Sequence, residues 1–334
     1  MSTPRHIAVL GAGSWGSALA IQLGRNGHHV TLWDHFSEHV ERLITDGENR
    51  QFLPDVAFPS TIQPIVDISQ AVKNAYGVLM VVPSHAFHAV LLEIAPHLSD
   101  SAILSWATKG LEPGNGHLLS QVVEEAIGKR DITVVSGPTF AGEVARGLPT
   151  AITVASTNPE HADFMAECLH GDAFRAYTNN DVIGVQVGGS AKNVMAIAAG
   201  IADGLGFGAN TRAALITRGL AEITRLGIAL GGQPETFMGL AGLGDLALTC
   251  TDNQSRNRRM GLALAAGKSI EQAREEIGQE VEGVGTAREV YRRAQELNVD
   301  MPITTQVYRV LYEELSPTEA VHNLLGRKQK AESN

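Results

Sequence analysis

The segment that most constrains the fold of this chain is a glycine-rich turn close to its start. Residues 7–16 read IAVLGAGSWG: a short apolar run ends at Gly11, and helical character begins at Ser14. Together with Gly13 and Gly16, Gly11 fits the pattern G-x-G-x-x-G. Between a strand and a helix these glycines provide a tight turn, close approach of a pyrophosphate, and close packing of helix on sheet. The free N–H groups at the helix N-terminus attract phosphate, so the segment predicts a dinucleotide site.

Strands alternate with helices through the first half of the chain. Short apolar, β-rich runs lie at 6–10, 29–33, 77–82, 102–106, 132–136 and 151–155. Helical segments separate most of them, for instance 86–98 and 116–127. Continuous apolar strands that alternate with helices are typical of a parallel sheet covered on both faces. We therefore expect an α/β fold with a Rossmann-like, parallel-sheet N-terminal domain over residues 1–185.

After about residue 182 the β-rich runs disappear. The pattern predicts helices at 190–203, 210–230, 234–240, 254–267, 269–277, 283–298, 303–313 and 317–323. Proline is favoured in the first turn of a helix, which agrees with helix starts near Pro302 and Pro317. We expect an all-helical C-terminal domain over residues 186–334.

The composition excludes two broad classes of partner. The chain has 334 residues and a formal net charge of −10. Binders of nucleic acid or anionic membranes present a basic face, so neither partner is expected, although a local basic pocket for a small anion remains compatible. The longest apolar run, within 187–202, falls short of the roughly 18 residues that a membrane span needs. We expect no membrane span.

The cysteines and histidines show no metal-ligand spacing. Cys168 and Cys250 lie far apart, and the twelve histidines form no HExxH pattern. His85 and His88 are three residues apart, without a neighbouring Cys, Asp or Glu to complete a ligand set. We therefore predict no metal site and a reducing, cytoplasmic location, and the chain enters its first strand too early for a signal peptide.

The residues after the second strand leave the choice of dinucleotide open. Asp34 lies about 20 residues beyond the glycine turn, where NAD enzymes place the carboxylate that accepts from the adenosine ribose. His35 follows it. A carboxylate disfavours the 2′-phosphate of NADP, whereas a histidine tolerates or binds it, so the cofactor is NAD or NADP.

Polar residues in the helical half form a second group of candidates. Lys192 and Asn193 stand at the head of the predicted helix 190–203, in a run of small apolar residues. Residues 241–251 read AGLGDLALTCT and place Asp245 among glycines and apolar residues, while 254–258 read QSRNR, with Arg256 where a helix begins. Glu282 follows an acidic stretch. A lysine, an aspartate and an arginine that face a dinucleotide cleft suit a small phosphorylated carbonyl or alcohol.

Each of these residues also has a structural alternative. Lys192 can extend its ammonium group to solvent, although a cation at a helix N-terminus opposes the helix dipole. Asp245 can cap a helix. Arg256 and Glu282 can be solvated surface residues.

The chain resembles a known family over nearly its whole length, the bacterial NAD(P)-dependent sn-glycerol-3-phosphate dehydrogenases. The motifs that carry the resemblance are GAGSWGSALA (11–20), WATKGLE (106–112), SGPTFAGEVA (136–145), SAKNVMAIAAGI (190–201), GLGDLALTCT (242–251), SRNR (255–258) and VEGVGTA (281–287). Their order separates the chain from 6-phosphogluconate dehydrogenases and ketopantoate reductases, which share the architecture. The resemblance departs from the family at Asp34 and His35, where many members have a small residue followed by arginine.

The resemblance implies reversible reduction of dihydroxyacetone phosphate to sn-glycerol 3-phosphate, which supplies phospholipid synthesis, and it implies a homodimer. By motif, Lys192 matches the catalytic proton donor or acceptor. The matched substrate contacts are Lys109, Gly137, Thr139, Lys192, Asp245, Ser255, Arg256 and Asn257. The matched cofactor contacts are Ser14, Trp15, His35, Lys109, Ala141, Arg256 and Glu282, beside the glycines of the turn.

These residues suggest a mechanism, and two alternatives stay open. We hypothesise that Lys192 protonates the developing alkoxide, that Lys109 and Asn193 donate to the same oxygen, and that Asp245 balances charge. A different two-domain dehydrogenase, acting on a 2-keto or 3-hydroxy acid, would use Arg256 for a carboxylate. A non-catalytic NAD(H)-sensing protein would need the glycine turn but not the second group.

Overall fold

The computed structural model describes residues 3–328. Its strands are β1 (His6–Leu10), β2 (His29–Trp33), β3 (Glu48–Asn49), β4 (Leu53–Ala57), β5 (Ile62–Ile65), β6 (Gly77–Met80), β7 (Ile103–Trp106), β8 (Ile132–Ser136), β9 (Thr150–Ser156) and β10 (Phe174–Asn179). Eight of them form one sheet in the order β10-β9-β8-β7-β6-β1-β2-β5, and β3 pairs with β4 in a small antiparallel ribbon.

The first half also holds seven helices within the described residues: α1 (Ser14–Arg25), α2 (Ser37–Asp46), α3 (Ile68–Val72), α4 (Ser84–Ile94), α5 (Leu119–Ile127), α6 (Ala141–Ala145) and α7 (Pro159–Leu169). The central strands β6, β7 and β8 are buried along their whole length, and apolar clusters lie on both faces of the sheet. This burial explains why their sequences read as unbroken apolar runs.

The second half is helical: α8 (Val182–Gly204), α9 (Ala209–Ala229), α10 (Pro234–Phe237), a π-helical turn (Leu240–Gly244), α11 (Asp245–Thr251), α12 (Arg256–Ala265), α13 (Ile270–Ile277), α14 (Glu282–Glu296), α15 (Pro302–Tyr312) and α16 (Pro317–Leu325). A third apolar cluster surrounds α8, which packs against α9, α11, α12 and α14. Within residues 3–328 the predicted order, a sheet-based half followed by a helical half, is confirmed.

The sheet differs from the prediction in two ways. It is not wholly parallel, because β8 and β9 pair antiparallel while its other neighbours are parallel. In addition β5, β10 and the β3–β4 ribbon were not predicted. These strands read EN, LPDVA, IQPI and FRAYTN and are partly exposed, so they lack the apolar runs by which the inner strands are recognised.

The central helix α8 begins earlier than predicted. It starts at Val182 rather than 190, since the Asp181 side chain caps it by accepting from the N–H of Gly184 at 2.8 Å. Lys192 therefore lies in the middle of a 23-residue helix and not at its head. The predicted division after residue 185 falls inside this helix.

The length and apolar composition of α8 meet the criteria for a membrane span. Within the described residues it is the single helix that does so. However, 94% of its most apolar window is buried inside the protein. Burial of that degree is what a central core helix requires, and the apolar surface is accounted for by packing.

Candidate active site

The glycine turn has the geometry of a phosphate-binding loop. Gly11 has φ +114°, and a Cβ there would lie 2.9 Å from the Val81 carbonyl oxygen. A Cβ at Gly16 would lie 1.8 Å from the carbonyl oxygen of Gly11. By contrast, open space surrounds Gly13, and no side chain caps α1. The loop thus leaves room and free N–H groups for an anion at the N-terminus of α1, which fits a dinucleotide pyrophosphate.

Two buried side chains that the sequence did not single out hold this loop. Asn49 donates to the carbonyl oxygen of Ala12 and to Ser17 Oγ, both at 2.8 Å. His39 Nε2 lies 3.2 Å from the same carbonyl. On the other side the Ala12 N–H donates to Asp34 Oδ2 at 3.1 Å. A polar residue in a two-residue strand carries no recognisable pattern, so Asn49 could not have been found from the sequence.

The carboxyl ends of β1, β6, β7 and β8 lie at one edge of the sheet, because these strands run parallel. They carry the glycine turn, Ser84, Lys109 and Gly137. Lys109 Nζ donates to the carbonyl oxygen of Gly137 at 3.1 Å, which ties two of these ends together. The residues that follow these strands therefore lie together at the carboxyl ends of the sheet.

A lysine–carboxylate–lysine cluster lies across this edge. Asp245 is 1% exposed, and its two oxygens accept from different lysines. Oδ2 accepts from Lys109 Nζ at 2.6 Å and Oδ1 accepts from Lys192 Nζ. Thr249, one turn further along α11, also accepts from Lys192 Nζ, at 2.8 Å. Asp245 does not cap its helix, so the structural alternative for this residue is wrong.

Close backbone approach by α8 places Lys192 in this cluster. A Cβ at Gly188 would lie 2.5 Å from the carbonyl oxygen of Ala241, in the π-helical turn before Asp245. A Cβ at Gly189 would lie 2.6 Å from Ser136 Oγ, at the end of β8. The paired glycines therefore let one helix touch both the sheet edge and the turn that carries Asp245.

Burial changes the proton affinity of Lys192. The residue is 6% exposed, and it does not extend to solvent. Burial lowers its pKa from 10.5 to about 8, with the Lys109 cation acting in the same direction and Asp245 opposing both. At neutral pH the ammonium form is retained but loses its proton more readily than an ordinary lysine. This is the behaviour that acid–base chemistry requires.

A second polar chain joins three helices beside the cluster. Asn257 Nδ2 donates to Asn193 Oδ1 at 2.9 Å, and Asn257 Oδ1 accepts from the Gly283 N–H at 2.9 Å. The neighbouring Glu282 accepts from the N–H and hydroxyl of Ser84, at 3.1 and 2.7 Å. The Glu282 carboxylate is therefore not a solvated surface group, and its burial raises its pKa.

Arg256 is a partly buried cation whose guanidinium donors are free in the described residues. It begins α12 directly after Ser255, which caps the helix by accepting from the Arg258 N–H at 3.2 Å. In residues 3–328 its guanidinium makes no hydrogen bond or ion pair, and burial lowers its pKa. A partly buried guanidinium without a protein acceptor can donate to an anion through its planar fork of N–H groups, which favours an anionic ligand at this point.

The remaining predicted residues lie in the sheet-based half of the chain. Thr139 donates to the carbonyl oxygen of Gly137 at 3.2 Å, Ala141 begins α6, and Trp15 has a buried indole N–H without a partner in the described residues. His35 is exposed and packs edge-on against Trp33 and Phe36. Phe87 is fully buried against Trp106 and belongs to the core.

One group of possible metal ligands was not predicted from the sequence. In the described part of the chain Glu112, His117 and Glu125 form a group of three potential ligands, and His88 lies 2.6 Å from Glu112. His117 also pairs with Glu125 at 3.0 Å. Ion pairs within the group account for its geometry.

The dinucleotide-type loop and the buried lysine–carboxylate–lysine cluster define a two-domain, nicotinamide-dependent dehydrogenase. Comparison with known proteins gives the family. The models for NAD-dependent glycerol-3-phosphate dehydrogenase match residues 6–162 with the N-terminal part and 181–322 with the C-terminal part. The chain belongs to this family.

Relatives of known name resemble the chain over its whole length. Glycerol-3-phosphate dehydrogenase [NAD(P)+] of Pseudoalteromonas translucida is 57% identical and covers 98% of both chains. The Yersinia pestis protein of the same name is 55% identical over 99% of this chain and 98% of its own. The crystal structure of glycerol-3-phosphate dehydrogenase from Coxiella burnetii is 48% identical, with a TM-score of 0.94 over 97% of this chain and 99% of that one. The predicted family, fold class and enzyme class are confirmed.

Proposed function

We propose that this chain catalyses the reversible reduction of dihydroxyacetone phosphate to sn-glycerol 3-phosphate with NADH or NADPH. The product is the backbone of glycerophospholipids, so the reaction supplies their synthesis. The relatives' shared name, glycerol-3-phosphate dehydrogenase [NAD(P)+], supports this substrate. The observation that carries the proposal is the contact of one buried carboxylate, Asp245, with both Lys109 and Lys192 at the cleft edge.

Lys192 is the proton donor in this proposal. A reduced nicotinamide bound beside the substrate would supply the hydride for the ketone carbon. Lys192 then gives a proton to the oxygen as negative charge develops on it, and the same nitrogen takes the proton back in the oxidation. A pKa of about 8 suits both directions near neutral pH.

The neighbouring groups orient and stabilise this step. Asp245 and Thr249 fix the direction of the Lys192 ammonium group. Lys109 adds a second positive charge, and Asn193 adds a side-chain amide held by Asn257. Preorganised donors in a buried site stabilise developing negative charge without reorganisation.

The phosphate group of the substrate is assigned to the start of α12. Arg256 supplies a guanidinium without a protein acceptor, and Ser255 and Asn257 flank it. Gly137, Thr139 and Lys109, which follow β7 and β8, complete the proposed substrate contacts. A guanidinium binds phosphate oxygens through two parallel hydrogen bonds, which gives orientation as well as affinity.

The dinucleotide is assigned to the edge of the sheet. The proposed contacts are Gly11, Gly13, Ser14, Trp15, Gly16, His35, Lys109, Ala141, Arg256 and Glu282. Open space at Gly13, the uncapped N-terminus of α1 and the unpartnered indole N–H of Trp15 support this assignment. When bound, the nicotinamide ring supplies the hydride acceptor or donor.

The proposal is tested by following the oxidation of NADH and NADPH by the purified protein. Dihydroxyacetone phosphate should be reduced, whereas pyruvate and other 2-keto acids should not be. In the reverse assay, which follows reduction of NAD+ and NADP+, 3-hydroxy acids should not support turnover. Preference for an unphosphorylated acid would favour the alternative dehydrogenase. Cofactor binding without turnover of any phosphorylated ketone would favour a sensing protein.

Two substitutions test the residue roles. Lys192→Ala should lower kcat by several orders of magnitude, and Arg256→Ala should chiefly raise KM for dihydroxyacetone phosphate. Lys268→Ala is the control, because Lys268 is partly exposed and paired with Glu276 on the surface. Near-normal kcat in Lys192→Ala would remove its acid role, and an unchanged KM in Arg256→Ala would remove the phosphate assignment.

The oligomeric state, the cellular location and the domain division are also proposals. We propose a homodimer, supported by the exposed apolar side chains of Ile228 and Met238. Light scattering after gel filtration would test it. We propose a cytoplasmic location, supported by two free, buried cysteines and tested by cell fractionation. We also propose functional domains over 1–185 and 186–334, which separate expression of the two parts would test.

A further inference from the structure

We propose that Asp34 makes this chain prefer NAD(H) over NADP(H), because its carboxylate is fixed beside the glycine loop where the adenosine ribose is expected. The proposal deepens the proposed function and rests on it for the nature of the cofactor. The names of the relatives leave the choice between the two dinucleotides open. The contacts of this one side chain favour the first.

Two backbone groups fix the Asp34 carboxylate. Oδ2 accepts from the N–H of Ala12, the middle residue of the first Gly-x-Gly, at 3.1 Å. Oδ1 accepts from the N–H of Phe36, also at 3.1 Å. The parallel pairing of β1 with β2 sets this position, since Leu10 lies beside Trp33 and the Gly11 N–H donates to the Trp33 carbonyl. The side chain is thus one hydrogen bond away from the loop and cannot turn away without breaking two bonds.

The fixed carboxylate discriminates between the two cofactors by charge. Each oxygen has one hydrogen bond from the backbone and keeps lone pairs for a further donor. The ribose 2′-hydroxyl of NAD donates a hydrogen bond to such an oxygen. The 2′-phosphate of NADP carries a charge of about −1.5 to −2, has few or no protons to donate, and repels the carboxylate.

The cations near this segment do not offset that repulsion. Arg50 directly follows the loop-binding Asn49 and is paired with Asp46 and Glu48. Arg42 donates to Gln51. His35 is exposed and lies edge-on against two aromatic rings. The described residues therefore offer a 2′-phosphate no buried, unpaired arginine or lysine beside Asp34.

Calorimetric titration of the full-length protein with NADH and with NADPH tests the proposal without turnover. We expect Kd for NADH to be at least about tenfold lower than Kd for NADPH. The repulsion between the carboxylate and a phosphate about 4 Å away corresponds to about this factor even in water. Equal affinities, or tighter binding of NADPH, would overturn the proposal.

Substitution of Asp34 assigns the preference to this residue. Asp34→Asn should weaken NADH binding and strengthen NADPH binding, so that the ratio of the two Kd values falls at least about tenfold. Asp34→Glu keeps the charge and should keep NADH as the tighter ligand. Asp131→Asn is the control, because it changes net charge equally at a surface carboxylate that accepts from Asn158. An unchanged ratio of the two Kd values in a folded Asp34→Asn protein would show that the preference arises elsewhere. If the variant does not fold, the ratio measured for the wild-type protein tests the proposal.

The outcomes for this proposal and for the proposed function are distinct. Tighter NADH binding without reduction of dihydroxyacetone phosphate would sink the function but leave the role of Asp34 standing. Reduction of dihydroxyacetone phosphate with NADPH as the better cofactor would support the proposed function and overturn the role of Asp34.

Discussion

Replacing Asp245 with asparagine should move the pH dependence of turnover to lower pH. The substitution keeps the shape of the side chain but removes the charge that both lysines contact. Reduction needs Lys192 protonated, so the rate in the wild-type protein should fall as pH rises through about 8, the pKa of this lysine. Oxidation needs the neutral amine, so its rate should rise through the same pH.

The size of the change follows from the charges in the cluster. Asp245 raises the pKa of Lys192, while burial and Lys109 lower it. Two unit charges 4 Å apart interact by about 4 kcal/mol at an effective dielectric constant of about 20, which corresponds to roughly three pH units as an upper bound. Screening and relaxation reduce this value, so we expect the limb to move from about 8 to below about 7.

The measurement is a pH profile of kcat in both directions. Asp252→Asn is the matched control, since Asp252 ends the same helix and its carboxylate accepts from the Gln254 N–H, away from both lysines. The reduction and oxidation limbs should move together in Asp245→Asn and stay in place in the control. A limb that stays near 8 in Asp245→Asn, or moves upward, would refute the assignment of Lys192 as the titrating acid.

Three further predictions concern packing and burial. Gly200→Ala would place a Cβ 2.1 Å from the Arg258 carbonyl oxygen and should cost about 1–3 kcal/mol or more in denaturant unfolding, whereas Gly285→Ala, in open space on α14, should stabilise by up to about 1 kcal/mol; equal effects would contradict the packing argument. Burial raises the pKa of Glu222 from 4.5 to about 7, so the folded state binds this proton more tightly than the unfolded state. The free energy of unfolding should therefore fall by about 3 kcal/mol between pH 4.5 and 7, and Glu222→Gln should abolish this fall in urea titrations at several pH values. Asn49→Ala leaves a loop carbonyl without its amide donor and should weaken NADH binding in calorimetry and lower Tm; unchanged values would exclude a role in loop positioning.

Local features of the fold could be predicted from the sequence. The glycine turn needs only neighbouring residues to define it, and the predicted start of α1 at Ser14 agrees with the structure. Buried inner strands were recognisable for a similar reason, since burial on both faces demands continuous apolar side chains. The edge strands β5 and β10 escaped because each has an exposed side where polar residues are tolerated.

The start of α8 is set by Asp181, whose side chain caps the helix. A pair of glycines is typical of a helix end, yet Gly188 and Gly189 lie inside the helix. Since they have no Cβ, the π-helical turn and the end of β8 can approach them closely. That approach is a property of the packed molecule. The early start of α8 places Lys192 at mid-helix, and the close approach at the two glycines brings its ammonium group into a buried cluster.

The sequence by itself determined which residue types this protein could use: a glycine loop after a strand, and lysine, aspartate and arginine in motifs that resemble one family. Only the tertiary structure decided how they meet. Asp245 lies 53 positions from Lys192 and 136 from Lys109 in the chain, and no local pattern brings one carboxylate between two such lysines. Folding brings the three residues together because the carboxyl ends of parallel strands share an edge of the sheet. At Gly188 and Gly189, α8 has no side chains and can lie directly against that edge.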